Sequence, residues 1–379
     1  MKKNTFLAKT FHGLEPVLAQ ELSDLGMDGV NPVKRGVLFD GDLEAIYKSN
    51  LWLRTAIRIL VPIEEFYARN EQDLYRGVQR VNWSQYLRIN QTFAIDSVVN
   101  SQVFTHSHFV ALKTKDAIVD QFRRRTGKRP SIDTKNPDLR IHIYLNDQHV
   151  RVMLDSSGEA LHRRGYRQEG KRAPLNEVLA CGLLYLSGWE PDTPLIDPMC
   201  GSGTIPIEAA LMAGNIAPGL LRRRFGFMQW QDFDREIWQN LLREARAARR
   251  SIDTPIYARE LHGPTLGAAR RNATDAHVET AIQFEKADFL EASAPSTPGH
   301  LIMNPPYGER MGSDLDEFYR AIGDRFKQEY PGFKAWIISS NMSALKKVGL
   351  KPGQKFNLYN GQLPVRFLGY DLYAGKKEE

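Results

Sequence analysis

The chain has 379 residues, 42% hydrophobic and 25% charged, with a formal charge of +6 and a pI near 9.1. That length predicts two or three domains, and the composition is that of a soluble globular protein. No run of about 18 apolar residues is available for a membrane helix, Met1-Lys2-Lys3-Asn4-Thr5-Phe6 lacks a signal-peptide core, and only Cys181 and Cys200 occur, so a cytoplasmic protein without disulfides is expected.

In chain order, Phe6-Leu7-Ala8-Lys9-Thr10 reads as a strand, Leu14 to Leu25 as an amphipathic helix and Gly36-Val37-Leu38-Phe39 as a strand. A second unit runs from about Asn70 to Asp155. It carries a strand at Thr92 to Val98, a helix at Ser107 to Arg125, and strands at Leu139 to Leu145 and His149 to Leu154. Strands and helices interleaved in small units imply α+β, ferredoxin-like packing. The His106-Ser107-His108 pair has no carboxylate or cysteine beside it, so no metal is expected. Ser156-Ser157-Gly158 reads as a hinge, and Pro174 to Leu186 as a helix leading into a further sheet.

The positive charge is uneven. From Gln121 to Arg172 there are 13 Lys or Arg against 6 Asp or Glu, in the clusters Arg123-Arg124-Arg125, Lys128-Arg129, Arg163-Arg164, Arg167 and Lys171-Arg172. A charge run is usually a solvated face. A segment that binds a polyanion also produces this pattern, because phosphate contacts dominate nucleic-acid affinity. His162 and Tyr166 add groups able to stack on bases. Nucleic acid is the favoured partner.

Leu195-Ile196-Asp197 is an apolar run ending in an acid, followed by Pro198-Met199-Cys200-Gly201-Ser202-Gly203-Thr204 and a helix from Ile205. A strand, tight glycine loop and helix in this order build a nucleotide-sized crevice in an open α/β sheet. Pro206 stands where a third glycine would complete a pyrophosphate fingerprint, and Asp197 repels phosphate. The acid suits a ligand with an ammonium and a sulfonium, such as S-adenosylmethionine. Ile256 to Glu260 reads as the next strand, with Glu260 able to grip ribose hydroxyls. Such an acid ordinarily comes about 20 residues after the loop, so Gly214 to roughly Ser251, with Arg222-Arg223-Arg224-Phe225, is an insertion. Ile282 to Phe289 reads as a third strand, placing Asp288 to accept an adenine amino group and Phe289 beside the ring.

Leu301-Ile302-Met303 is a buried strand running into Asn304-Pro305-Pro306-Tyr307. Alone, that tetrapeptide is equally an ordinary proline-rich turn. About a hundred residues after a donor loop, it fits methylation of a planar, weakly nucleophilic amine. The Asn304 side-chain carbonyl and the Pro305 backbone carbonyl accept the amine hydrogens, the prolines stiffen the loop, and Tyr307 stacks on the base.

Together these strings resemble the THUMP-domain RNA guanine-N2 methyltransferases that modify bacterial large-subunit ribosomal RNA. Gly13-Leu14-Glu15 with Glu21-Leu22 resembles the family's N-terminal segment. Lys113 to Asp120, Arg129-Pro130-Ser131 and Leu154 to Gly158 resemble its THUMP unit. His162-Arg163-Arg164-Gly165-Tyr166-Arg167 with Ala173-Pro174-Leu175 resembles the approach to its catalytic domain, and Leu358-Tyr359-Asn360-Gly361 its closing segment. Asp197 to Thr204 and Asn304 to Arg310 match its two signatures. One departure is Glu260 where the family more usually has Asp.

The resemblance implies a ferredoxin-like segment over 1–68, a THUMP RNA-binding domain over 69–158 and a Rossmann-like class I methyltransferase domain over 159–379. S-adenosylmethionine would lie against Pro174, Asp197, Pro198, Cys200, Gly201, Ser202, Gly203, Thr204, Glu260, Asp288, Phe289 and Asn304. Asn304, Pro305, Pro306 and Tyr307 would form the catalytic loop. Arg123, Arg124, Arg125, Lys128, Arg129, Arg163, Arg164 and Arg167 would hold RNA. The expected target is the N2 amine of a guanosine in 23S ribosomal RNA. Transfer RNA, adenine N6 in nucleic acid, a protein glutamine, and an RNA-binding assembly factor with a vestigial methylase fold stay open.

Overall fold

The computed structural model describes residues 4–167, 175–306 and 314–373, so Pro174 and Tyr307 lie outside the described residues. It forms two units, each on its own sheet. The first unit takes most of the N-terminal 161 residues together with Arg222–Arg243. The second takes Thr10–Leu18, His162–Leu221 and the chain from Glu244 onward.

The first unit's strands are β1 (Asn4–Lys9), β2 (Asp28–Val33), β3 (Gly36–Gly41), β4 (Arg58–Tyr67), β5 (Thr92–Asn100), β6 (Ser131–Ile132), β7 (Leu139–Asn146) and β8 (His149–Asp155). They lie in the order β2-β3-β1-β4-β8-β7-β5-β6. Strand β4 bridges the early and late strands, with Leu60 opposite both Leu7 and Asp155. A bulge between Pro62 and Glu64 accommodates a proline with no N–H to offer the ladder. Helices α1 (Glu15–Asp24), α2 (Leu43–Trp52), α3 (Glu71–Arg80) and α4 (Ser107–Thr126) accompany these strands. Leu74 and Val78 of α3 meet Ala117, Ile118 and Phe122 of α4 in a core shared with Phe93 and Ile141. Gly127 ends α4 at φ +70, the left-handed C-cap that glycine adopts without strain.

The expected hinge is instead a pinned turn. Ser156 and Ser157 are fully buried: the Ser157 hydroxyl donates to Asn50 Oδ1 (2.6 Å) and accepts the Ile59 N–H (2.9 Å), while the Ser156 N–H donates to the Ile59 carbonyl (3.0 Å). Small hydroxyl residues are there to satisfy buried backbone groups rather than to bend. Asp155 beside them is paired with Arg58, which also donates to the Gly158 carbonyl (2.7 Å).

Within the insertion, Phe227, Phe233 and Trp238 surround Tyr47 of α2, with the Tyr47 and Phe227 rings stacked at 4.3 Å, and Phe225 packs on Phe227 and Trp238. Arg222 lies over the Phe225 ring and donates to the carbonyls of Ala160 and Glu159 (both 2.9 Å), so it works as a structural clamp.

The second unit runs α5 (Glu177–Leu186), β9 (Leu195–Asp197), α6 (Thr204–Ala213), the end of α7 (Arg235–Ala247, whose residues to Arg243 belong to the first unit), β10 (Ile256–Glu260), α8 (Gly263–Asp275), β11 (Ile282–Lys286), β12 (His300–Met303), α9 (Asp314–Glu329), β13 (Lys334–Ser339), α10 (Met342–Leu345), β14 (Gln354–Asn360) and β15 (Leu363–Asp371). The sheet order is β11-β10-β9-β12-β13-β15-β14, with the first five parallel and β15 antiparallel to both neighbours. The runs Leu195-Ile196-Asp197 and His300 to Met303 are wholly buried, as central parallel strands covered on both faces require. Strand β11 is shorter than expected. It stops at Lys286, opposite Glu260, where its partner β10 ends.

Candidate active site

Strands β9 and β12 are parallel neighbours, with Leu195 opposite His300 and Ile196 opposite Leu301. Chain order reverses between them, so their carboxyl ends open the crevice where α/β sheets bind ligands. Asp197 ends β9, and Asn304 follows Met303 of β12 directly.

The loop after β9 is held from several sides. Gly201 and Gly203 adopt φ +54 and +84, which β-carbon-bearing residues avoid. A Cβ on Gly203 would also stand 3.0 Å from the Ala269 methyl, whereas one on Gly201 would meet nothing within 4 Å. Gly203 is thus fixed by packing against α8, and Gly201 leaves open space beside the loop. The Cys200 N–H donates to the Arg259 carbonyl (2.8 Å), Asn272 Nδ2 donates to the Ser202 carbonyl (2.9 Å), and the Gly201 N–H donates to Glu260 Oε2 (3.1 Å). Glu260 Oε1 accepts the His262 N–H (2.9 Å), so the acid at the end of β10 ties the glycine loop to its own strand end.

Asp197 is 1% exposed, and among hydrogen bonds it accepts the Met199 N–H at 3.2 Å. Burial pushes its carboxyl up to about 8. The Met199 bond opposes this, and the nearby Glu260 charge adds to it. Burial, helped by the Asp197 and Glu260 carboxylates, also raises the Cys200 thiol, so that side chain is a packed neutral group. Two buried polar atoms at this crevice have no hydrogen-bond partner among the described residues: Ser202 Oγ and Asn304 Oδ1. Buried acceptors are almost always paired. A desolvated carboxylate without a cation, an orphaned hydroxyl, an orphaned amide oxygen and open space at Gly201 fit a polar, positively charged ligand.

Pro198 and Pro305 are buried and Pro306 is exposed. Asp288 lies past the end of β11, and its Oδ1 caps a turn by accepting the Leu290 N–H (2.8 Å). Phe289 departs from expectation. It is 2% exposed and stacks on Tyr330 at 5.7 Å, edge-on to Phe326 at 6.2 Å. Once the strand stops at Lys286, its ring turns into the α9 core and cannot flank a ligand.

The arginines divide. Arg123, Arg124 and Arg125 form the exposed last turn of α4, followed by exposed Lys128 and Arg129. Arg123 pairs with Asp120 (3.7 Å), and Arg125 donates to Asn82 Oδ1 (2.8 Å). Arg163 is exposed, but Arg164 is 2% exposed and lies 3.6 Å from Glu208. Glu208 also accepts from the Tyr166 hydroxyl (2.9 Å) and the Cys181 thiol (3.0 Å). Desolvation lowers the Arg164 pKa, but Glu208 and the other acidic groups outweigh it, so its charge is held. A cation buried this way cannot reach phosphate, so Arg164 leaves the RNA-binding set. Arg167 leaves it too: it pairs with Glu177 (3.1 Å) and donates to Thr204 Oγ1 (2.8 Å) and the Leu175 carbonyl (3.1 Å). This network went unread in sequence. Its signal was Glu208, a lone acid within Thr204-Ile205-Pro206-Ile207-Glu208-Ala209-Ala210-Leu211, which a buried helix tolerates only opposite a cation.

Three domain descriptions match the chain: an RlmL ferredoxin-like domain over residues 5–60, a THUMP domain over 68–155 and an RMKL-like methyltransferase domain over 164–367. The chain belongs to the RMKL-like methyltransferase family. A family relative from Synechocystis sp., provisionally named an RNA methyltransferase, is 41% identical over 371 residues, covering 97% of each chain. The ribosomal RNA large subunit methyltransferase K/L of Photobacterium profundum is 41% identical over 386 residues, covering 99% of this chain and 54% of that one. The chain thus spans about half the length of the K/L relatives. A solved structure of a provisionally named methyltransferase with S-adenosylhomocysteine is 33% identical, with a TM-score of 0.87 over 100% of both chains. Members of this family take S-adenosylmethionine as methyl donor. The Rossmann-like, ferredoxin-like and THUMP architecture expected from sequence is the one observed. Among the described residues, no helix is long and apolar enough to cross a membrane, and no side-chain group is arranged to hold a metal.

Proposed function

We propose that this protein methylates the exocyclic N2 amine of a guanosine in 23S ribosomal RNA. The observation that carries the reading is Asn304 Oδ1: a buried acceptor with no partner among the described residues, one residue past β12 and beside the strand that ends in Asp197. When bound, S-adenosylmethionine supplies an electrophilic methyl group on a sulfonium. Asp197 holds the donor's positive charge, Ser202 and the Gly201 gap receive its polar body, and Glu260 faces its ribose. The Asn304 oxygen and the Pro305 carbonyl accept the two amine hydrogens, which turns the nitrogen lone pair into the crevice. Tyr307 packs on the base. Positioning supplies most of the acceleration, so no general base is needed to start the reaction.

Residues 1–68 and 69–158 hold RNA in this scheme, with Arg123, Arg124, Arg125, Lys128, Arg129 and Arg163 on phosphates, while 159–379 carry the chemistry. Ribosomal RNA as target places the protein in the cytoplasm. The acceptor pair suits adenine N6 as well as guanine N2. The test is methyl transfer from labelled S-adenosylmethionine to 23S ribosomal RNA, transfer RNA and duplex DNA, with mass spectrometry of the digested nucleosides. N2-methylguanosine in the ribosomal RNA is expected. N6-methyladenine, transfer confined to another nucleic acid, or no transfer overturns the proposal.

A further inference from the structure

The hairpin of β14 and β15 sits at the edge of the second unit's sheet. Strand β13 runs parallel to β12 and antiparallel to β15, so the hairpin tip stands at the same end of the sheet as Asp197 and Asn304. The β13–β15 pairing ends at Ser339 and Arg366, and Leu363 lies three residues further, about 10 Å beyond at the rise of an extended strand. Three strand spacings separate β14 from β12, about 14 Å laterally.

The tip bears the side chains that hold a single-stranded nucleic acid. Tyr359, Asn357 and Lys355 alternate along β14 and share one face with Pro364 and Arg366, their neighbours across the ladder. All five are exposed, and Lys355 and Arg366 are in no ion pair among the described residues. The ring of His12 meets Tyr359 edge-on at 5.9 Å. His12 is there because the turn from Phe11 to Leu14 is seated on β14. Gly13 adopts φ +91, and a Cβ on it would stand 2.8 Å from Leu358 and 2.9 Å from the Asn357 carbonyl. Leu14 in turn presses on Gly182 of α5, where a Cβ would come within 2.6 Å. A segment from the start of the chain thus completes an aromatic step on the catalytic unit.

We infer that Tyr359 and His12 form a stacking step, followed along the same face by Arg366 and then Lys355, that holds an unpaired nucleotide of the RNA near the methylated one. The inference rests on the proposed RNA substrate. Its occupant follows from the chemistry: every base offers a π-face to an exposed ring, and two cations in line on the same face, in no ion pair among the described residues, match successive phosphates on one side of the stacked base. An exposed tyrosine among acids would argue against RNA; here Glu15 is the acid in contact, through His12 at 3.5 Å.

The test uses the full chain and a short fluorescein-labelled single-stranded RNA of mixed sequence, with binding followed by anisotropy. Tyr359→Ala is expected to weaken binding about five- to a hundredfold, as loss of one stacked base does. Tyr359→Phe should restore affinity, because the ring face remains. Paired Lys355→Ala and Arg366→Ala should lower the slope of log affinity against log salt by about 1.4 for two phosphates on a single strand. Tyr373→Ala is the control, being 54% exposed beyond the opposite end of β15. In methylation assays the Tyr359→Ala loss should fall on KM for RNA rather than kcat. Wild-type affinity in Tyr359→Ala, or an equal loss in Tyr373→Ala, overturns the inference. A wild-type protein that binds the RNA yet transfers no methyl group overturns the proposed function and leaves the stacking step to be judged by binding alone.

Discussion

If Asp197 holds the donor as proposed, donor binding is sensitive to pH in a calculable direction. Its carboxyl is 1% exposed and titrates at about 8, some four units above an ordinary aspartate. A folded-state pKa raised above the unfolded one contributes stability at low pH that is lost as pH rises through the folded value. The ligand-free protein should therefore lose stability from about pH 4 to pH 8, by on the order of 5 kcal/mol from this group. A cationic donor reverses the preference by favouring the carboxylate. At pH 7 about nine-tenths of the groups are protonated in the free protein, so donor binding should release close to one proton, and affinity should climb with pH up to about 8. Calorimetry in buffers of different ionisation enthalpy counts that proton. Asp197→Asn preserves the shape of the side chain and its acceptor for the Met199 N–H, but cannot ionise. It should bind the donor weakly without this proton release, and its stability should fall less over the same range. Equal proton release by wild type and Asp197→Asn at pH 7 would refute the assignment of Asp197 to the donor's charge.

Asn304→Ala should slow single-turnover methyl transfer about a hundred- to a thousandfold while RNA and donor affinities stay near wild type; an unchanged rate removes Asn304 from amine orientation. Arg164→Met strands Glu208 without its cation and should cost about 3–5 kcal/mol in urea unfolding, with RNA affinity of the folded protein unaltered. A specific loss of RNA binding there, with stability intact, would return Arg164 to the RNA surface. Reversing Arg123, Arg124 and Arg125 to Glu should weaken RNA binding and flatten its salt dependence by about 0.7–0.9 for each phosphate no longer neutralised, leaving donor calorimetry unchanged. An unaltered slope makes those arginines a solvated helix end, satisfying the negative pole of α4.

What the sequence revealed and concealed follows from how local each signal is. Strands β9 and β12 were legible because Leu195-Ile196 and Leu301-Ile302-Met303 are apolar runs, each followed by one polar residue and then by Pro198 or Pro305. The glycine loop was legible because Gly201 and Gly203 fill conformations other residues avoid. The end of β11 was not. Ala287-Asp288-Phe289 continues the strand composition, and only the end of its partner at Glu260 stops the ladder. The aromatic residues of the insertion, Phe225 to Trp238, follow no period, and their partner Tyr47 lies far back in the chain. The hairpin of β14 and β15 escaped notice because Gln354 to Asn360 is largely exposed and polar. Counting basic residues could not separate Arg123 from Arg164. The buried acid opposite Arg164 does, and it sits more than forty residues further along.

The polar groups around the crevice are unevenly satisfied, and that unevenness is itself an argument for catalysis by positioning. The glycine loop after β9 is tied to β10, to α8 and, through Thr204 and Arg167, to the string that begins at His162. Each neutral bond adds about 0.5–1.5 kcal/mol net, enough together to hold two left-handed glycines in one conformation. Asn304 Oδ1 stands beside this rigid frame with no partner among the described residues. Leaving a buried acceptor unpaired costs about 1–3 kcal/mol, a cost relieved when a donor N–H arrives. Elsewhere in this unit the buried Glu208 carboxylate is paired, accepting from the Tyr166 hydroxyl and the Cys181 thiol. Other buried polar atoms of this unit are also unpaired among the described residues, Glu177 Oε2 and Trp336 Nε1 among them. Asn304 Oδ1 is the one that directly follows the central strand β12 at the crevice, on a backbone stiffened by the two prolines after it, and that is the arrangement an amine-orienting oxygen requires.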